Sequence, residues 1–282
     1  MVTKRSGKKQ PSKRVARLVE SNLDQVGGRT GRAVDTRRDD DGGHGRPSAS
    51  PRKCKAGILD GKYGDGECWG FTFIAGPTGS GKSTEADRLV IHARRVIKFI
   101  PPSVNFEARG WPVFRQPGQL RRYLIDHAGK PFQCIYSPGK DGGPVEEHWE
   151  YVGKMALAAG NLVLYVDEIN MLCTPHALIP LRSAYWSRPE NLKRQSALDE
   201  LLNYGRHSAI AMVMISRMPS QVNRLLTQGC DEMRVFRQTE PNVLKYFAAK
   251  SETTSAMLPG LRDYEYVLWQ DGKEPVVLGG RK

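Results

Sequence analysis

The sequence has no closely spaced pair of cysteines. Its five, Cys54, Cys68, Cys134, Cys173 and Cys230, are scattered and none forms a C-x2-C, so a structural zinc site is not expected. An odd, dispersed set reads instead as reduced thiols in a cytosol-like compartment. Long apolar runs are also missing. The best, "AIAMVMI" from Ala209, has strand length, whereas a membrane span needs about 20 apolar residues; no span of its own is expected. The charged N-terminus carries no apolar core of the secretory kind, and no internal repeat is visible. The six histidines are dispersed and make neither a metal-binding nor a triad pattern; His207 is expected to pack or cap.

Acidic residues are outnumbered. There are 43 Lys+Arg against 30 Asp+Glu, a net charge of +13, and the excess is uneven. Residues 1–57 hold 15 basic and 6 acidic side chains. A basic arm suggests a polyanionic partner, DNA or RNA first and an anionic membrane second; the alternative is a merely solubilising tail. Its "RRDDDGGHGRPSASPRK" has too little apolar surface to offset ordering entropy. Residues 1–57 are therefore expected to be a disordered arm, with a short helix around Lys13–Leu23 as its one candidate element. Residues 58–282 are expected to form one α/β domain, for which a hydrophobic content of 39% is sufficient.

Against these absences stands "FIAGPTGSGKSTEADRL", Phe73 to Leu89. Gly76, Gly81, Lys82 and Ser83 have the spacing G-x-x-x-x-G-K-[ST]. Glycines let backbone N–H groups converge on one phosphate. Lys82 would reach the outer phosphates and the Ser83 hydroxyl would ligate Mg²⁺. The preceding "CWGFTFIAG" reads as a buried strand, and "STEADRLVIHARR" as a helix whose positive end faces the anion. The loop from Gly76 through Pro77, Thr78, Gly79, Ser80, Gly81, Lys82 and Ser83 to Thr84 is thus a candidate nucleotide site.

Further on, "RRVIKFI", "PFQCIYSP", "NLVLYVDEIN", "SAIAMVMIS" and "EMRVFR" read as strands. "PGQLRRYLIDHAG", "VEEHWEYVGKMALAAG", "SALDELLNYGRH", "PSQVNRLLTQG" and "EPNVLKYFAAK" read as helices. "YEYVLWQDGKEPVVLG" reads as a β-hairpin turning at Asp271-Gly272. The alternation predicts a mostly parallel sheet covered on both faces.

"LVLYVDEIN" delivers two acids from an apolar strand. Asp167 would hold Mg²⁺ through water, and Glu168 would polarise the attacking water as general base. A carboxylate base for water argues for hydrolysis over transfer to a small acceptor. The strand "AIAMVMI" ends in Ser216-Arg217. In NTPases with an extra strand between the two Walker strands, that strand end lies beside the γ-phosphate. Arg217 is the sensor candidate, with Ser216 second; the alternative is a surface arginine. Trp111, Trp149 and Trp186 are expected to pack rather than to stack on bases. The segment Thr174–Gln195, with Arg182, Arg188, Lys193 and Arg194, would face either DNA phosphates or solvent.

These motifs together resemble the FtsK/HerA superfamily of DNA-pumping ATPases, especially compact viral genome-packaging members. "GPTGSGKST", "LVLYVDEIN", "GRHSAIAMVMISRMPSQV" and the closing "DYEYVLW" carry the resemblance, over about residues 68–270. It implies a RecA-like P-loop NTPase fold, ATP and Mg²⁺ as cofactors, double-stranded DNA as partner and a homo-oligomeric ring, with a hexamer favoured. A capsid or portal-vertex protein is a further partner, and the host cytoplasm or the virion the location. Lys82 and Glu168 take catalytic roles, and Ser83 and Asp167 the metal. Arg206, in "YGRH", matches an arginine offered to the neighbouring subunit's nucleotide; the alternative is a helix-capping arginine. Many relatives carry Gln where this chain has Arg217. The competing functions are a P-loop kinase, a filamentous-phage-type assembly ATPase and a nucleotide-switched nucleic-acid binder.

Overall fold

The computed structural model describes residues 70–139, 142–180, 185–188, 191, 195–270 and 272–280. The basic arm, its candidate helix, Cys54, Cys68, Asp271 and three of the four basic residues noted in Thr174–Gln195 lie outside them.

Nine strands form one sheet. In chain order they are β1 (Phe71–Ala75), β2 (Arg95–Phe99), β3 (Val113–Phe114), β4 (Phe132–Tyr136), β5 (Leu162–Val166), β6 (Ile210–Ser216), β7 (Glu232–Phe236), β8 (Glu265–Gln270) and β9 (Val276–Gly279). Their spatial order is β3-β4-β2-β5-β6-β1-β7-β8-β9. The seven strands from β3 to β7 are parallel, and β8 and β9 add antiparallel rungs. The expected hairpin is therefore an extension of the sheet. Parallel pairing requires crossovers, which bury both faces and explain why β1, β2, β5 and β6 are apolar or covered at every position.

The helices are α1 (Lys82–Val90), α2 (Pro117–Asp126), α3 (Val145–Ala159), α4 (Ala197–Tyr204), α5 (Arg224–Gln228), α6 (Pro241–Ala248) and α7 (Glu252–Met257). Side chains alternate across each strand with period two. Phe73, Phe99, Leu164 and Met212 face a large core with Leu120 and Leu124 of α2, Trp149 and Val152 of α3 and Leu198 and Leu201 of α4. Ile74, Val96, Val163 and Val213 face a smaller core closed by Ala86, Leu89 and Val90 of α1.

Three local features differ from the sequence pattern. The helix expected over 219–229 is a short 3-10 turn, Pro219–Gln221, followed by α5. Asn223 interrupts it by capping α5, its Oδ1 accepting the Leu225 N–H at 2.9 Å. β3 is too short to show a period. α7, "ETTSAM", lacks an apolar stripe; the Ser251 cap and a bond from the Ser255 hydroxyl to the Leu244 carbonyl hold it.

Candidate functional site

After Ala75 the chain leaves the C-terminal end of β1 and turns into α1. Two glycines take left-handed backbone there, Gly79 at φ 81° and Gly81 at φ 100°. At Gly76 the requirement is space: an added Cβ would lie 2.6 Å from the Phe236 Cβ and 2.8 Å from the Ser80 Oγ. Gly81 places no side-chain cap on α1, so the first-turn amides, Lys82 to Thr84, have no partner within the helix. They form a ready anion site at the positive end of the helix dipole. Ser83 and Thr84 are exposed, while the Ser80 Oγ is buried without a hydrogen-bond partner. The Lys82 Nζ bends back and donates to the Pro77 carbonyl at 2.7 Å. Burial lowers its pKa, and the charges of Glu168 and Asp167 partly restore it.

Those two acids stand where β5 ends. Asp167 is 5% exposed; its N–H donates to the Phe99 carbonyl at 3.0 Å and its Oδ1 accepts the Glu168 N–H at 2.9 Å. Burial first, and then the charge of Glu168, push its carboxyl up to about 6. Glu168 sits at φ 49°, ψ 53°, left-handed backbone that a residue with a side chain adopts at a cost, and such strain gathers at functional sites.

β6 runs between β5 and β1, as the sensor reading requires. The Ser216 carbonyl accepts the Gly76 N–H at 3.3 Å, and the Ser216 hydroxyl donates to Asn170 Oδ1 at 3.3 Å. Ser216 thus fastens the loop after β1 to the turn after β5. Arg217 extends across the same end, and its Nε donates to the Glu168 Oε1 at 2.6 Å. The loop, both acids and Arg217 therefore converge on one edge of the sheet. Ser83 and Asp167 present a hydroxyl and a carboxylate, hard oxygen donors that suit Mg²⁺. With Lys82 within electrostatic reach of both acids, the set fits a magnesium nucleotide.

Arg206 lies elsewhere. It precedes β6, at the opposite end of strands that rise about 3.3 Å per residue. Its Nη2 donates to both Asp231 oxygens, at 2.9 and 3.0 Å, and to the Gly229 carbonyl at 3.1 Å. It therefore bonds the residue that closes α5, not the end of its own helix α4. Arg206 thus does not join the loop, the two acids and Arg217 at the other end of the sheet.

Two supporting elements were not read from the sequence. Glu85 is buried in the first turn of α1 and is held by Arg88, Arg234 and the Tyr266 hydroxyl. Burial alone would raise its carboxyl, but these donors bring it below its ordinary value. The network ties the loop's helix to β7 and β8. Tyr165 is buried on the face of β5 that leads to Asp167, and a signal for it existed: it lies two residues before Asp167 and so shares its strand face.

Trp149 and Trp186 are buried, and Trp111 lies 4.5 Å from the Lys98 ammonium. Cys134, Cys173 and Cys230 are buried free thiols. His207 is exposed in the turn after α4. Arg188 sits over the Tyr185 ring and 4.0 Å from Glu147. Among the described residues there is no cluster suited to a tightly bound resident metal, and no helix is long and apolar enough to cross a membrane.

No family model matches the sequence, and no curated protein does. Solved structures match by shape. The genome packaging NTPase B204 from Sulfolobus turreted icosahedral virus 2, in complex with ATPγS, superposes with a TM-score of 0.53 at 18% identity, covering 74% of this chain and 96% of that one. The chain has the fold of a viral genome-packaging NTPase. B204 from Sulfolobus turreted icosahedral virus, described as a DNA-packaging ATPase, gives the same TM-score, 0.53, at 19% identity over 74% and 96% of the two chains. The AMPPCP complex of the virus 2 protein gives 0.52 at 18% identity. The likeness establishes a RecA-like P-loop architecture, and almost the whole of B204 has a counterpart in this chain.

Proposed function

We propose that this chain is an ATP-hydrolysing motor of the FtsK/HerA type that moves double-stranded DNA, packaging a viral genome as a homo-oligomeric ring, with a hexamer favoured. One observation carries the reading. The strand order β5-β6-β1 brings a phosphate-binding loop, a buried acid, a second acid and an arginine to one sheet edge. Hydrolysis needs that set, and a kinase would need a second substrate site beside it. The fold shared with B204 adds support.

In this reading the amides of the loop hold the phosphates. Lys82 exchanges the Pro77 carbonyl for the outer phosphate oxygens. Ser83 and Asp167 would hold Mg²⁺, which would supply charge neutralisation on the phosphates. Glu168 accepts a proton from water at a carboxylate oxygen. Arg217 is paired with that carboxylate. A γ-phosphate competes for the guanidinium and so releases the base when substrate is present. Arg206 exchanges Asp231 for the nucleotide of the adjoining subunit. The basic residues 1–57 contact DNA or dock on a capsid or portal-vertex protein; either role places the protein in the host cytoplasm or on the virion.

The test is steady-state ATP hydrolysis with and without long duplex DNA, for the full chain and for a version lacking residues 1–57. Stimulation by duplex in both supports a motor whose DNA track lies in residues 58–282. Hydrolysis indifferent to DNA but switched on by a small phosphate acceptor would replace the motor by a kinase.

A further inference from the structure

The side of the loop away from the acids has its own features. Asp167, Glu168 and Arg217 end strands that lie on one side of β1; β7 and β8 lie on the other. A nucleotide whose terminal phosphate faces Glu168 therefore points its nucleoside toward the end of the β7–β8 pair. That end abuts the loop directly: a Cβ built on Gly81 would lie 3.0 Å from the Tyr264 ring and 3.5 Å from that of Phe236. Tyr264 is 37% exposed and stands at φ 65°, a left-handed conformation rare for a residue with a side chain. The Gly280 N–H holds its carbonyl at 3.2 Å. The last rung of the strand pair is Phe236↔Tyr266; two residues beyond it, just past the strand ends, stand Gln238 and Tyr264. Gln238 is 6% exposed, and its Nε2 is a buried donor without a hydrogen-bond partner. Buried amides are almost always satisfied, so this one points to a ligand acceptor.

We infer that Tyr264 and Gln238 form the nucleoside end of the site, Tyr264 stacking on a purine base and Gln238 donating its side-chain N–H to a ring acceptor of that base. The inference rests on the nucleotide-binding reading of residues 76–84. It gives a reason for the strained backbone at Tyr264, which keeps the ring against Gly81, and it assigns the unpaired donor. An aromatic face accepts any base, whereas a directed amide discriminates among them.

The experiment compares ATP with inorganic tripolyphosphate, both with Mg²⁺, by titration calorimetry on the full chain. Tripolyphosphate reports the loop alone. Tyr264→Gly keeps the left-handed backbone comfortable and removes the ring, so ATP should bind about tenfold more weakly while tripolyphosphate is unchanged. Tyr264→Trp should restore ATP affinity. Gln238→Leu should weaken ATP severalfold, again with tripolyphosphate unchanged, and should narrow any difference between ATP and GTP. Unchanged ATP affinity in Tyr264→Gly would overturn the inference. So would an equal loss for both ligands, because the residue would then act through the loop. A wild-type chain that binds neither ligand would instead overturn the phosphate-loop reading on which the inference stands.

Discussion

Replacing Asp167 by Asn should make the nucleotide-free protein more stable while abolishing its response to magnesium nucleotide. Its carboxyl is raised from 3.8 to about 6, by burial first and then by Glu168. A gap of about two pKa units corresponds to roughly 3 kcal/mol. The sign follows from the direction. An acid whose pKa is higher folded than unfolded is protonated more readily in the folded chain, so its cost is absent below about pH 4, grows from about 4 to 6, and is full above. Asn keeps an oxygen for the Glu168 N–H but brings an amide donor with no evident acceptor, a loss of about 1 kcal/mol. Lys82 also loses a nearby charge. The net gain expected near neutral pH is about 1–2 kcal/mol. Urea melts of both proteins without nucleotide, at about pH 7.5 and about pH 4.5, would show a higher midpoint for the variant at the first and none at the second. Titrating groups remote from Asp167 cancel between the two proteins. Added Mg²⁺ and ATP should raise the midpoint of the wild type alone. A variant no more stable near neutral pH, or a gain independent of pH, would refute the reasoning.

Glu168→Gln should still bind ATP but hydrolyse it at least about 100-fold more slowly; rapid-quench assays would read this, and normal turnover would remove Glu168 as the base. Arg206→Ala should cost under about 1 kcal/mol, since Arg206 and Asp231 are 55% and 49% exposed. Mixed with Glu168→Gln subunits it should regain part of the ATPase activity, and a mixture as inactive as its parts would count against action between subunits. Gly76→Ala sets a methyl group against the Phe236 Cβ at 2.6 Å. It should lose about 1–3 kcal/mol of stability, measurable as a lower melting temperature.

Whatever depends on chemical neighbours is legible along the chain. The candidate loop of Gly76, Gly79, Gly81, Lys82 and Ser83 was legible because groups that wrap one anion must come from one tight turn. The strands were legible because a doubly covered parallel sheet demands unbroken apolar runs, as in "LVLYV" and "IAMVMIS". Asp167-Glu168 was legible because such a run ended in adjacent charges. α7, "ETTSAM", was not, because its helix is held by a cap and a neighbouring helix without an apolar stripe. Tertiary structure alone decided what depends on strand order and register. Nothing in "SRM" states that Arg217 meets Glu168, 49 positions away; that contact exists because β6 inserts between β5 and β1. Nor does "YGRH" show that Arg206 lies at the far end of the sheet, bonded to Asp231. The raised carboxyl of Asp167 comes from burial by elements distant in sequence, and Tyr264 reaches Gly81 only because β8 pairs antiparallel to β7. Covalent order sets which groups can share a turn, whereas the sheet sets which ends converge, and this candidate site is made of strand ends.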